Sequence, residues 1–231
     1  MPRLIRLSDA SVIPVERYMT GPWDQSFGGG LAKTQTLLLG GKPGAGKSTL
    51  CLQICDELSE QTGRDTLFVG AEQAAGEIKY NAQRIGLRNI DRLILMQAMT
   101  VDSPEDLPAI LSESIKACAP AAVIIDSLAD LSGGDEGFAL ATAMCKSLKK
   151  DAIANTCPVI LLQHVTKDGD LAGLMRHQHT VDGVGVLELD EKTEIRTLRL
   201  GKNRFGGTGK RTRFAMTEAQ GLVHIPEETK P

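Results

Sequence analysis

The segment from Gly41 to Ser48, Gly-Lys-Pro-Gly-Ala-Gly-Lys-Ser, constrains this chain more than any other. It follows a short aliphatic run at 36–39, which reads as a buried strand, and precedes a helical pattern from Lys47 to about residue 60. Gly41, Gly44 and Gly46 let the backbone curl until successive N–H groups converge, and the helix that follows adds the positive end of its dipole. Such a cradle binds phosphate. Lys47 brings an ammonium for the β and γ phosphates, and Ser48 a hydroxyl suited to a magnesium shell. With Lys42, Pro43, Ala45 and Thr49, these residues form the expected ATP-binding loop, with ATP and Mg2+ as the cofactors. A turn that merely joined strand to helix would need neither the lysine nor the hydroxyl.

The rest of the chain repeats the same alternation. Short aliphatic runs at 66–69, 93–96, 122–125 and 159–162 read as strands, separated by helical patterns near 76–85, 103–118 and 138–155. Ser103, Pro104, Glu105 and Asp106 look like a helix start, with Ser103 as cap. Beyond residue 180 the period shortens, and 184–189, 195–200 and 213–225 read as antiparallel strands, the last turning near Ala219-Gln220-Gly221. The expected fold is α/β: a P-loop NTPase with a mostly parallel central sheet flanked by helices and a C-terminal antiparallel β-meander. A single domain is expected over 1–231, comprising an N-terminal segment 1–19, a core 20–225 and a tail 226–231.

Phosphate-loop proteins need a carboxylate on the metal side and a group that activates water. Asp126 follows the apolar run ending at Ile125 and so emerges at the carboxyl edge of the sheet, as a magnesium-side aspartate should. Glu72 lies just past the strand at 66–69, where a carboxylate can orient and deprotonate water.

These features, in this order, resemble the RecA-like ATPase superfamily. The segments HVTKDG at 164–169, Val181-Asp182, KNRFG at 202–206 and TGPWDQSFGGGL at 20–31 are similar to the bacterial RadA (Sms) DNA-repair family, over about residues 20–225. The resemblance is to that family's ATPase core alone, without its four-cysteine zinc finger and its Lon-like domain. It implies a hexameric, ring-forming ATPase that acts on single-stranded DNA in recombination and repair, with helicase or branch-migration activity and contacts to recombination or replication proteins. Glu72 would be the water-activating glutamate, Gln163 the sensor of the γ-phosphate beside His164, and Tyr80 and Asn81 would lie near the adenine.

Lys202 and Arg204 stand two apart on a predicted strand and project together, which is more cation than one domain needs for its own nucleotide. As in related ring ATPases, both are expected to reach the γ-phosphate held by a neighbouring subunit. The resemblance further implies two DNA loops, near 132–137 and 167–179. The second supplies Lys167, Arg176, His177 and His179 as phosphate donors; the first carries the acidic pair Asp135 and Glu136. Neither offers an aromatic ring for base stacking, so the grip should be electrostatic and salt-sensitive.

Composition narrows the alternatives. A formal net charge of −3 argues against coating of duplex DNA by bulk attraction, although a local basic face could still bind a strand. Five cysteines scattered through apolar segments without CxxC spacing read as reduced core thiols. No window approaches the roughly 18 apolar residues of a membrane span, so a cytoplasmic protein with no membrane partner is expected. Two other functions fit the same core: a KaiC-like regulatory or signalling ATPase, and a slow-hydrolysing strand-annealing or helicase-loading factor.

Overall fold

The aliphatic run before the phosphate loop becomes the centre of the molecule. The computed structural model describes residues 6–9, 14–70, 73–98, 101, 103–133, 137–164 and 177–226. Their order is β1 (Arg17–Tyr18), β2 (Leu31–Ala32), β3 (Thr36–Gly41), α1 (Lys47–Thr62), β4 (Thr66–Gly70), α2 (Ala75–Arg84), β5 (Leu93–Gln97), α3 (Leu107–Cys118), β6 (Val123–Asp126), α4 (Leu128–Ser132), α5 (Phe138–Asn155), β7 (Val159–His164), β8 (Gly183–Leu189), β9 (Ile195–Asn203), β10 (Arg211–Thr217) and β11 (Gly221–Ile225).

Nine strands form one sheet in the order β11-β10-β9-β8-β3-β7-β6-β4-β5. From β8 to β5 every neighbour is parallel; β9, β10 and β11 add an antiparallel edge. β8 therefore belongs to both sets. It opens the antiparallel set through β9 but runs parallel to β3 on its other side. β3 lies between β7 and β8, buried along its whole length.

Strand residues alternate between the two faces, and each face has its own core. Leu37, Leu39, Phe68, Ile124, Ile160 and Leu162 pack with Leu50, Ile54 and Leu58 of α1, and with Phe214 and Leu222 from the C-terminal hairpin. On the opposite face Leu38, Leu67, Val69, Ile125 and Leu161 pack against α3, α4 and α5 through Leu111, Leu128, Met144 and Leu148. Four of the five cysteines are buried in these cores, and burial pushes the thiols of Cys55, Cys145 and Cys157 up to about 12.

Two local expectations need correcting. Ser103 makes no capping hydrogen bond; a 3-10 turn, Pro104–Asp106, precedes α3, which starts at Leu107. The short helix α4 had no signal in the apolar pattern, although Ser127, whose side chain accepts a hydrogen bond from the Asp130 N–H, marks its start. Among the described residues no helix is long and apolar enough to cross a membrane.

Candidate functional site

At the carboxyl end of β3 the chain turns through Lys42–Ala45 into α1. Gly46 occupies the N-terminal cap of the helix with φ 99°, a conformation that favours glycine, and no side chain caps the helix there. The orphan N–H groups of the first turn thus stay available to an anion. Space also demands the glycine: a Cβ on Gly46 would stand 2.7 Å from Met216 Cε.

Lys47 is buried, with 5% of its surface exposed, and its ammonium is held over the loop. Nζ donates to Gly41 O at 2.8 Å and Lys42 O at 3.1 Å, and lies 3.3 Å from His164 Nδ1. Ser48 Oγ donates to Asp126 Oδ2 at 2.5 Å. Burial pushes the Asp126 carboxyl above its usual range, opposed by that hydrogen bond and by the Lys47 charge. The two oxygen donors converge, and oxygen is the ligand type that magnesium takes, usually with waters and substrate phosphates completing its shell. Ser48 and Asp126 therefore fit a magnesium ion.

These residues line a cleft of about 320 Å³, which continues past Gln73 and Asn81 to Arg84 and Met216. The C-terminal hairpin forms one wall. Gln53 on α1 clasps it, donating to Gln220 O at 3.1 Å and Leu222 O at 3.2 Å and accepting from Leu222 N at 3.0 Å. Arg84 at the end of α2 donates to Glu218 O. Arg84, Met216 and Gln53 escaped the sequence reading, because each matters only through a fold that brings residues 211–225 over α1. Asn81 faces the cleft as expected, whereas Tyr80 is 65% exposed and does not line it.

The structure separates Gln163 from His164, its neighbour in the same motif. β7 extends two residues past its apolar run, with Gln163 opposite Gly40 and His164 opposite Gly41. Alternation then puts His164 on the face shared by Leu162, Asp126 and Lys47, and turns Gln163 toward the α3–α5 face. Gln163 Oε1 is buried there without a hydrogen-bond partner among the described residues. Glu72 lies outside the described residues, as do Lys167 and Arg176. Of the other expected DNA contacts, His179 is exposed. His177 is not: it is 5% exposed and its ring stacks on Phe138 at 5.1 Å, which removes it from the surface donors.

Lys202 and Arg204 stand at the opposite end of the sheet. β9 ends at Asn203, so Arg204 opens the following turn instead of sharing the strand with Lys202. Both still converge on one segment. Lys202 Nζ donates to Gln178 O and, at 2.7 Å, to Val181 O; Arg204 Nη1 donates to Asp182 Oδ1 at 3.2 Å. Asp182 is 2% exposed and also receives Lys149 Nζ from α5 at 2.5 Å. Burial pushes the Lys202 ammonium down, as do the charges of Lys149 and Arg204, with Asp182 opposing. Asn203 anchors the turn by donating to Phe27 O at 2.9 Å and accepting from Phe205 N at 3.0 Å.

Comparison with known proteins agrees with this arrangement. Residues 20–170 match the AAA domain family. The chain is 35% identical to the DNA repair protein RadA of Salmonella typhimurium over 227 residues, covering 95% of this chain and 47% of that protein. With the DNA repair protein RadA of Bacillus subtilis it shares 31% identity over 229 residues, or 97% of this chain and 48% of that one. The chain thus spans about half the length of these curated relatives. The crystal structure of a KaiC-like protein from Pyrococcus horikoshii superposes with a TM-score of 0.78 at 22% identity, over 92% of this chain and 100% of that one. That likeness establishes the RecA-like fold.

Proposed function

This chain belongs to the AAA domain family, with the DNA repair proteins RadA among its relatives, and we propose that it is a DNA-repair ATPase whose active sites are completed between subunits. One observation carries this reading. The phosphate loop and the Lys202–Arg204 pair lie at opposite ends of β3, since Asp182, which binds Arg204, is paired with Thr36 while the loop begins at Gly41. Five strand steps at roughly 3.3 Å each put them about 16 Å apart along the strand. Two cations at that distance cannot serve the nucleotide of their own chain. In a head-to-tail ring the loop of one subunit meets the pair of the next, and a homo-oligomer, hexameric in the RadA-like reading, satisfies both ends.

Within such a site each residue has a task. The first-turn N–H groups and Lys47 hold the β and γ phosphates. Ser48 and Asp126 would hold magnesium, which would neutralise charge on the phosphate oxygens. Glu72 takes the proton of the attacking water; Gly70, two residues before it, is paired with Asp126, which brings the start of that segment beside the phosphates. His164, hydrogen-bonded to Lys47, is positioned to sense the γ-phosphate. Lys202 and Arg204 of the neighbour stabilise charge developing in the transition state.

The proposed partner is single-stranded DNA, gripped electrostatically by Lys167, Arg176 and His179, with helicase or branch-migration activity following from hydrolysis around the ring. ATP turnover measured with and without single-stranded DNA at rising salt tests this. Stimulation that fades as salt increases is expected. Turnover indifferent to DNA at every salt concentration would instead favour a regulatory ATPase, and DNA binding without stimulation an annealing factor.

A further inference from the structure

Two cations pair with one buried carboxylate at the amino end of β3, and a third stands close enough to feel its charge. Lys149 comes from α5, Lys202 from β9 and Arg204 from the turn that follows, and among the described residues Asp182 is the only anion acting on Lys202. Among the described residues the cluster holds three cations to one anion, and Arg204 is its most exposed member. Such a cluster suits a site that awaits a further anion.

Asp182 grips Arg204 twice. Its carbonyl accepts the Arg204 N–H at 2.9 Å, and its Oδ1 accepts from the guanidinium at 3.2 Å. Its other oxygen, Oδ2, accepts from Thr36 N at 3.2 Å, while its own N–H donates to Thr36 O at 2.9 Å. One residue therefore ties the arginine to the first hydrogen bonds of β3, the strand that ends in the phosphate loop. Val181 and Gln178, just before it, accept the Lys202 ammonium. Although its backbone is fixed, the Arg204 side chain remains 65% exposed. A long cationic side chain with a clamped base and an exposed head is preorganised to meet a phosphate on another surface.

We propose that Asp182 is the positioning residue of the trans-acting pair: it aims Arg204, with Lys149 holding the carboxylate in place, so that the neighbour's γ-phosphate meets the guanidinium already oriented. This rests on the reading that Lys202 and Arg204 act between subunits. Asp182 stands beside Thr36, at the end of β3 away from its own phosphate loop, and its effect passes through Arg204.

Mixed assemblies of the full chain separate the two claims. Asp182→Asn, Arg204→Ala and Lys47→Ala are each purified, and ATP turnover is measured alone and in equal mixtures. Asp182→Asn should bind a fluorescent ATP analogue within about threefold of wild type, because its own phosphate loop is intact. Its turnover should fall about 10²-fold, less than the 10³-fold or more that loss of a trans arginine costs. Mixing it with Lys47→Ala, which has a damaged loop but an intact Asp182 cluster, should raise turnover at least tenfold above the sum of the separate rates. Arg204→Ala mixed with Lys47→Ala should recover in the same way. Recovery for Arg204→Ala but not for Asp182→Asn overturns the positioning role and leaves the trans reading standing. Failure of the Arg204→Ala mixture overturns the trans reading itself. Should Asp182→Asn fail to fold, Lys149→Gln replaces it: a loss of severalfold that Lys47→Ala complements supports the proposal, and unchanged turnover sinks it.

Discussion

Two lysines of this molecule are held alike at opposite ends of the central strand. Lys47 Nζ donates to the carbonyls of Gly41 and Lys42; Lys202 Nζ donates to those of Gln178 and Val181. They differ in counter-charge. Asp126 feels Lys47, His164 and Asp130 inside a cleft, whereas Asp182 faces Lys149, Lys202 and Arg204. Lys47 is buried, while the Arg204 side chain is 65% exposed. The first end is thus shaped to hold a ligand, and the second, with three cations to one carboxylate among the described residues, to reach one.

The sharpest way to break that contrast is to remove the lysine from the cleft end. Lys47→Ala should lower ATP turnover on the order of 10²–10³-fold and weaken nucleotide binding, measured by steady-state hydrolysis and by titration with a fluorescent ATP analogue. Retained binding would mean that the phosphates sit elsewhere. The second test uses the strand parity that separates His164 from Gln163. His164→Ala should reduce turnover about tenfold, and Gln163→Ala distinctly less; the reverse order would restore Gln163 as the sensor.

A third, smaller effect follows from Asp126. Its folded-state pKa is raised by burial, so it favours the fold while protonated, and that contribution is lost as pH rises through the raised value. At neutral pH the ion-free protein therefore carries a costly buried carboxylate. Asp126→Asn should raise the ion-free Tm at pH 7 by about 2–4 °C, what ~1 kcal/mol does in a domain of this size, and the gap should close toward pH 4. A lower Tm in the variant would show that the Ser48 hydrogen bond outweighs the desolvation. Smallest is Gln53→Ala, which removes the three hydrogen bonds that hold the hairpin over the cleft. Urea unfolding should show a loss of about 1–2 kcal/mol, with nucleotide affinity reduced by a small factor.

Much of this architecture is legible in the chain itself. Strands buried on both faces must read as unbroken aliphatic runs, so β3, β4, β6 and β7 declare themselves, and a phosphate loop declares the helix after it. Strand ends are less visible. Backbone pairing continues past the last apolar side chain, so β7 carries Gln163 and His164 where apolar content suggests a loop, and that shift of two residues decides which of them faces Lys47. His177 has the composition of a surface donor, yet packing against Phe138 buries it. Asp182 was visible only as half of a Val-Asp pair. Its role depends on Lys149, Arg204 and Thr36 arriving from three separate elements, and no local pattern encodes that meeting.

The absent side chain of Gly46 leaves a space that Met216 fills, and Phe214, two residues earlier on the same strand, lies against Trp23 with ring centroids 5.3 Å apart. Trp23 is the only tryptophan in the chain. Met216 thus joins the phosphate loop to the strand that carries Phe214, and Trp23 is one ring away. The emission of that native indole is expected to change on titration with ATP, an optical gauge of nucleotide binding that needs no label.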